Sequence, residues 1–385
     1  MILVNVKQIN GEDLCISVQG ERFFALTGND AGERIDFNDA VAFPGLINSH
    51  DHLDFNCFSP LGNKKYNNYR EWGNDIHASY KKEIDAVLKI PAELRNRWGM
   101  YKNLLGGVTT VVNHGRYVDL DSPLISIKQD LQNLHSVAFE KRWRLKLNNP
   151  FRRNELCVIH AGEGSDDESI REIDTLLQWN LLEKKLVTVH GVAMKRIHAK
   201  YIHAHVWCPE SNRQLLDAHA DIKSIAELTQ LLFGTDSTLT GHWDIRHHLR
   251  LARSLRQVSD EKLFESVTST AAAIWNTSTG SLSPGKYADM VIAKASRGGN
   301  AWDRFFALDA PDIMMVMHYG KIRLFDESLY DQLKRSNYLP GVFHPVIING
   351  SVKYLEGDLP ALMEEIRKYY PAATFPCDIK SAVYA

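Results

Sequence analysis

Hydrophobic and polar residues alternate in short runs over the first 42 residues of the chain. The runs ILVNV, LCISV, RFFAL and RIDF are separated by Asn-Gly, Gln-Gly and Gly-Asn. This pattern is typical of small antiparallel strands joined by tight turns. From Ala42 onward, apolar runs of about five residues end in polar residues and are followed by segments with helical spacing. Strand and helix alternating in this way predict an α/β barrel or an open doubly wound sheet.

The strand-and-turn pattern returns after residue 280, in GSLSPGKYADMVIAKA, MMVMHYGKIRLF and PVIINGSVKY. These apolar strands need partners, and the N-terminal strands have the same pattern. We therefore predict a small composite β-sandwich from residues 1–42 and 281–350, an α/β region over 43–280, and a C-terminal helix and tail over 351–385. Between Asn113 and Glu155 only about forty residues are available for two strand-and-helix units, so these units should be short or irregular.

Length and composition fit an ordinary soluble protein. The 385 residues suit one barrel of roughly 250 with a smaller module. The net charge of -2 gives no basic excess of the kind that nucleic-acid binding requires. The five cysteines form no Cys-x-x-Cys pair, which argues against a disulfide framework or a cysteine-based zinc site. With no signal peptide and no run of ~20 apolar residues, we expect a cytoplasmic protein without membrane contact.

Polar residues stand where several apolar runs stop. In FPGLINSHDHL, His50 and His52 share one strand face while Asp51 points the opposite way. Catalytic groups of a (β/α) barrel lie at the carboxyl ends of its strands, so the polar residues there should converge. Three imidazoles and a carboxylate suit zinc or ferrous iron, with one position open for water. The other such residues are Asn113, His114, His160, His190 and Asp236.

The order of six motifs resembles the amidohydrolase superfamily, within it most closely the cytosine deaminase, triazine hydrolase and S-adenosylhomocysteine deaminase branch. The motifs are PGLINSHDHL, HAGE, VHG, CPESN, GTDS and SPGKYAD, between Ala42 and Ala293. This resemblance implies a (β/α)8 TIM-like barrel with the composite β-sandwich. It also implies a small-molecule substrate and a homodimer or larger homo-oligomer.

The resemblance implies one divalent metal, with zinc expected and iron or manganese as alternatives. His50 and His52 match the ligands of the first barrel strand, His160 that of the fifth and Asp236 that of the eighth. Binuclear members carry a carboxylated lysine after the fourth strand, and no lysine here matches it. The competing interpretation is that the four are buried structural polar groups.

The resemblance also implies catalytic roles for Glu163, His190 and Asp236. Glu163 matches the glutamate that shuttles a proton to the substrate ring, Asp236 can accept a proton from the attacking water, and His190 faces that water or the substrate. A metal brings the pKa of bound water from about 15.7 to about 7, which supplies a hydroxide at neutral pH. The alternatives are a carboxylate at a helix N-terminus for Glu163 and a core histidine for His190.

Further residues are candidate substrate contacts, with loop or strand-end packing as the alternative. A second His-x-His pair, His203 and His205, lies upstream of a strand end, and His247 with His248 is expected on a solvated face. The candidate contacts are Asn113, His114, Trp207, Glu210, Asn212, Ser237 and His242.

The sequence thus predicts a metal-dependent hydrolase that deaminates an amino-substituted nitrogen heterocycle through a metal-activated hydroxide. An alternative within enzymes is hydrolysis of a cyclic amide or an N-acyl carbon–nitrogen bond. A non-catalytic binding protein on the same barrel is a further alternative, which the presence of all four ligands disfavours.

Overall fold

The computed structural model describes residues 1–14, 16–25, 32–294, 298–339 and 341–380. Cys15 and the end of the predicted C-terminal tail, residues 381–385, lie outside this part of the chain. The strands within it are β1 (Ile2–Gln8), β2 (Ile16–Gln19), β3 (Arg22–Ala25), β4 (Arg34–Pro44), β5 (Leu46–Asp51), β6 (Val108–Asn113), β7 (Ser126–Lys128), β8 (Gln132–Ser136), β9 (Cys157–Ala161), β10 (Leu186–His190), β11 (Ala204–Trp207), β12 (Gln230–Phe233), β13 (Met290–Ala293), β14 (Ile313–His318), β15 (Lys321–Asp326), β16 (Phe343–Ile348), β17 (Ser351–Glu356) and β18 (Asp378–Ile379).

Helices follow most of the parallel strands, and none is long and apolar enough to cross a membrane within the described residues. They are α1 (Tyr69–Ser79), α2 (Lys81–Leu88), α3 (Ala92–Leu105), α4 (Trp143–Leu147), α5 (Asp167–Gln178), α6 (Arg196–Ala199), α7 (Pro209–Leu216), α8 (Ile222–Ile225), α9 (Ile245–Ser254), α10 (Asp260–Glu265), α11 (Ser269–Ile274), α12 (Ala301–Ala307), α13 (Tyr330–Arg335) and α14 (Leu359–Tyr369).

The N-terminal and C-terminal strands share one ten-stranded sheet, in the order β18-β16-β17-β15-β14-β13-β4-β1-β2-β3. The two segments meet where β13 runs antiparallel to β4, with Met290 opposite Pro44. Apolar side chains such as Phe23, Phe37 and Phe325 form the core of this unit. The sheet continues past residue 350, the predicted end of the β unit, because β17 pairs with both β15 and β16.

The parallel strands form two further sheets, β5-β6-β7 and β12-β11-β10-β9-β8. Every residue of β5, β6, β9, β10 and β11 is buried, as expected for strands covered on both faces. The sheets approach each other at β5 and β12, where the His52 N–H donates to the Asp236 carbonyl at 2.7 Å and Asp51 bridges Asp236. The α/β fold predicted from the sequence is confirmed.

The third and fourth strand-and-helix units of the expected eightfold pattern are not separate. β7 ends at Lys128 and β8 begins at Gln132, so only residues 129–131 lie between them. Neighbouring parallel strands need a crossover of about a dozen residues or more, so three residues cannot join two such neighbours. Instead β7 pairs with β6 and β8 pairs with β9, as successive parts of one stretch of chain. The region is therefore irregular, as expected, but it supplies one interrupted strand in place of two short strand-and-helix units.

Candidate active site

A cavity of about 500 Å³ opens beyond the carboxyl ends of the parallel strands. Its floor is polar and its walls are apolar. The chain after β5 forms much of the wall, through α1, α2 and the loop that precedes them. The floor is lined by His52, His160, Glu163, His190 and Asp236.

The predicted ligands, together with His190, form two overlapping groups that share His50. The ligand atoms of His50, His52 and Asp236 lie within 4.8 Å of one another, and those of His50, His160 and His190 do the same. The Nε2 atoms of His50 and His160 are 3.1 Å apart. Because side chains alternate along extended chain, His50 in β5 and His52 just after it reach the same face.

Asp236 presents one carboxylate oxygen to the histidines and has its other oxygen occupied. Its Oδ2 accepts hydrogen bonds from Ser211 Oγ and Thr240 Oγ1, both at 2.7 Å. Its Oδ1 lies 3.7 Å from His50 Nε2 and 3.5 Å from His52 Nε2. Burial acts to raise the pKa of Asp236, but the nearby imidazoles of His50, His52 and His190 hold this pKa well below its usual value. The oxygen that faces the histidines therefore belongs to an ionised carboxylate and can bind a cation.

The histidines of the floor are held neutral. Burial lowers the pKa of His52 to about 3 and that of His190 to about 4, and it places the pKa of His160 well below its usual value. Neutral imidazole nitrogen is the form that binds a metal.

His190 is fixed in orientation by Asn212 from α7. The Asn212 Oδ1 lies 3.0 Å from His190 Nδ1, and Asn212 Nδ2 donates to the His190 carbonyl at 3.2 Å. The amide oxygen only accepts, so His190 Nδ1 carries the proton and Nε2 has a free lone pair. That Nε2 lies 3.7 Å from Glu163 Oε2. Burial, with the charges of Asp236 and Glu172, raises the pKa of Glu163 well above its usual value.

No protein-family model and no curated protein sequence matches the chain. Solved structures do. An adenosine deaminase from Xanthomonas campestris with bound zinc is 15% identical, with 92% of each chain covered and a TM-score of 0.60. An atrazine chlorohydrolase from Arthrobacter aurescens complexed with zinc is 14% identical, covering 87% of this chain and 99% of that one, with a TM-score of 0.64. A guanine deaminase from C. acetobutylicum with bound guanine is 14% identical, covering 80% and 94%, with a TM-score of 0.64. This chain shares their fold.

Two histidines stand beside the floor in addition to the predicted ligands. His114, a predicted substrate contact, is 2% exposed and stacks on His160 with ring centres 4.5 Å apart. Neither of its ring nitrogens has a hydrogen-bond partner among the described residues. His135 on β8 lines the cavity with its ring centre 5.1 Å from that of His160. Sequence reasoning missed His135 because it lies in the compressed segment, where no strand end could be located.

The other predicted contacts divide into those that reach the cavity and those that do not. Ser237 lines the cavity. Asn113, Trp207 and His242 do not line it: the Asn113 side chain accepts from the Leu53 N–H at 3.2 Å, the indole of Trp207 is buried in the core, and His242 Nδ1 accepts from the Asp244 N–H at 3.1 Å. Asn113 and Trp207, at their strand ends, therefore serve packing, and His242, in the loop after β12, serves a turn.

The structure corrects or decides three expectations about the remaining polar residues. His248, expected on a solvated face, is buried, and its Nε2 lies 2.7 Å from the His242 carbonyl and 3.1 Å from Glu210 Oε2. His205 is buried away from the metal group, with Nδ1 3.0 Å from Thr188 Oγ1. Glu163 precedes α5 by several residues, so it is not a carboxylate of that helix's first turn.

Asp51 lies behind the two histidines in a buried polar network that the sequence did not reveal. Its Oδ2 accepts from Lys102 Nζ at 2.7 Å and from Asn103 Nδ2 at 2.9 Å, and its Oδ1 accepts from Asn56 Nδ2 at 2.7 Å. Asn48 Nδ2 reaches both Asp51 Oδ2, at 3.1 Å, and Thr235 Oγ1, at 2.8 Å. This network ties the end of β5 to α3 and to the residues that follow β12, and so fixes His50 and His52 against Asp236.

Proposed function

We propose that this protein is a mononuclear metal-dependent hydrolase of the amidohydrolase superfamily that deaminates an amino-substituted nitrogen heterocycle. The observation that carries the proposal is that His52, His160 and Asp236 line the floor of one cavity with Glu163, and that the buried His50 contacts them from behind the floor. The solved structures that share the fold support the proposal, since they include a guanine deaminase and an adenosine deaminase.

The donor set fits one divalent metal, which we propose is zinc, with iron or manganese as alternatives. Two nitrogens bound about 2.0 to 2.1 Å from one tetrahedral zinc lie roughly 3.3 Å apart, close to the 3.1 Å between His50 Nε2 and His160 Nε2. At that distance the two nitrogens either form a hydrogen bond, with one of them protonated, or direct two lone pairs at one cation. Asp236 Oδ1 adds the negative charge that such a cation requires.

The residues of the floor then have separate roles. When bound, a divalent metal lowers the pKa of a coordinated water to about 7. Asp236 accepts a proton at Oδ1, which keeps a second lone pair when the first binds the metal, because its Oδ2 is occupied by two hydroxyl donors. Glu163, whose pKa is raised by burial, delivers a proton to a ring nitrogen of the substrate. His190, with Nδ1 held by Asn212, directs Nε2 toward the reacting centre.

We also propose that the parallel strands of residues 43–280 close into a TIM-like barrel, and that the ten-stranded sheet folds into a composite sandwich. The contact between β5 and β12 supports closure, and the pairing of β4 with β13 supports the composite unit. The small-molecule substrate is supported by the dimensions of the cavity. The homodimer and the cytoplasmic location stay predictions from the sequence.

Ammonia release tests the proposal. Zinc-reconstituted protein should liberate ammonia from at least one member of a panel of aminopurines, aminopyrimidines, aminopterins and aminotriazines, and Glu163→Gln protein with the same zinc content should not. Cyclic amides in the same panel, followed for ring-opened product, test the alternative. Ring opening without ammonia release from any amine would overturn the deaminase assignment.

A further inference from the structure

The wall of the cavity is made of apolar side chains contributed mainly by the chain between β5 and α3. They include Phe55, Phe58, Trp72, Ile84 and Leu88, and Phe139 from beyond β8 completes the wall. Two polar side chains of the same segment, Asn74 and His77, also line the cavity. Of the residues that the structure describes, no lysine or arginine lines the cavity. The carboxylates that do line it, Glu163 and Asp236, belong to the floor.

Charged residues of the same segment are turned away from the cavity and are paired at the surface. Lys64 Nζ lies 3.1 Å from Asp75 Oδ1, and Lys81 Nζ lies 2.9 Å from Asp85 Oδ2. Arg70 pairs with a glutamate of α5. The segment thus has a charged outer face and a mainly apolar inner face, as in an amphipathic helix that packs on a core. Here the inner face lines an open cavity.

The polar atoms of the aromatic wall are already used. Trp72 Nε1 donates to the Leu61 carbonyl at 3.0 Å. The Tyr69 hydroxyl contacts Ser136 Oγ at 3.0 Å and donates to Glu172 at 2.9 Å. These rings therefore present hydrocarbon to the cavity. A charged group placed against them would lose its hydration without gaining a partner, at a cost of several kcal/mol.

We infer that the substrate of this cavity is an uncharged nitrogen heterocycle that carries an apolar substituent, with the ring on the polar floor and the substituent against the wall formed by residues 55–88. This inference rests on the proposed function for the orientation of the ring. The cavity volume of about 500 Å³ lies in the range typical of drug-sized ligands, so it holds more than a bare ring. Phosphorylated and carboxylated analogues should bind more weakly, because no lysine or arginine of the described chain lines the cavity.

Matched ligands test the inference. The probes are adenines with methyl, butyl or 3-carboxypropyl at N9, and melamines with the same three groups on one amine. Each buried methylene should improve binding about fourfold, which corresponds to about 0.8 kcal/mol. The three extra methylenes of butyl over methyl should therefore give roughly 60-fold. The 3-carboxypropyl compound, equal in length to butyl, should bind at least 100-fold more weakly than butyl.

Two measurements separate this inference from the proposed function. Affinity is measured by calorimetry on zinc-loaded protein carrying Glu163→Gln, and kcat/KM by ammonia release from the unaltered zinc enzyme. Preference for butyl in affinity without any turnover would reject the deaminase and leave the substrate inference standing. Equal affinity for butyl and methyl, affinity for the carboxylate equal to that for butyl, or no binding of any probe would overturn the inference.

A charge placed on the wall gives a second test. Leu88 lies at the rim and is 47% exposed, so Leu88→Lys should leave the fold intact. The variant should bind the 3-carboxypropyl probes several-fold more tightly and the butyl probes more weakly. Leu181→Lys is the matched control, because Leu181 is 66% exposed and does not line the cavity. Identical changes in both variants would contradict the placement of the substituent.

Discussion

Replacement of Lys102 by methionine should weaken both the fold and metal binding. Lys102 is 1% exposed and its Nζ lies 2.7 Å from Asp51, which stands between His50 and His52 on β5. Removing one partner of a buried ion pair costs about 3 to 5 kcal/mol, because the other charge is left uncompensated. Loss of a side chain that orients metal ligands typically costs 10- to 100-fold in metal affinity.

Lys353→Met is the matched control. Lys353 is fully buried and pairs with Asp326 at 2.6 Å, but it lies in the ten-stranded sheet and not at the cavity. We expect urea unfolding of the metal-free proteins to show similar losses, about 3 to 5 kcal/mol, in both variants. Zinc affinity, measured by competition with a chelator under conditions where both variants are folded, should fall only for Lys102→Met.

The double variant Lys102→Met with Asp51→Asn should recover much of the lost stability, since no buried charge is then left without a partner. Equal zinc affinity in the Lys102 and Lys353 variants would refute the view that the Asp51 network positions the ligands. A loss of stability below about 1 kcal/mol for Lys102→Met would refute the buried ion pair itself.

Three further outcomes are expected. Glu163→Gln should lower kcat by roughly 100- to 10,000-fold while zinc content stays at the wild-type level, and a parallel loss of zinc would show instead that Glu163 is a ligand. Asn212→Leu should lower kcat roughly tenfold or more. Asn212→Asp keeps an acceptor for His190 Nδ1 and should retain more activity. Equal activities of the two variants would show that Asn212 does not hold the proton on His190 Nδ1. Burial acts to raise the pKa of Asp326, but Lys353 lowers it below the usual value, so the pair stabilises the fold above about pH 4 and this contribution is lost as the pH falls further. Asp326→Asn should therefore flatten the dependence of unfolding free energy on pH below about 4, and an unchanged slope would contradict the assignment.

The sequence predicted the α/β core well because that core depends on local patterns. Largely apolar runs such as β9 and β10 are typical of strands buried on both faces. Because parallel strands end at the same edge of a sheet, His160 and His190 were expected to lie close together. Period-two alternation likewise placed His50 and His52 together and Asp51 behind them. Each of these conclusions needs only a strand direction.

The missed features depend on contacts between distant parts of the chain. The hydrophobic pattern could not show that β7 and β8 are two parts of one stretch, and so His135 could not be located. Lys102 resembles an ordinary lysine of an amphipathic helix, since its partner Asp51 lies 51 residues away in sequence. Trp207 was misplaced because a strand-end position does not say which way a side chain turns, and His242 because it lies in a loop whose path the sequence does not show.

X-ray absorption at the zinc edge tests the central claim most directly. Zinc-loaded protein should hold one metal per chain, bound by three imidazoles and a carboxylate oxygen at about 2.0 to 2.2 Å, from the histidines at positions 50, 52 and 160 and from Asp236. His160→Ala should remove one imidazole from that spectrum and lower the zinc affinity. A spectrum with sulfur ligands, or one that His160→Ala leaves unchanged, would contradict the proposed metal centre.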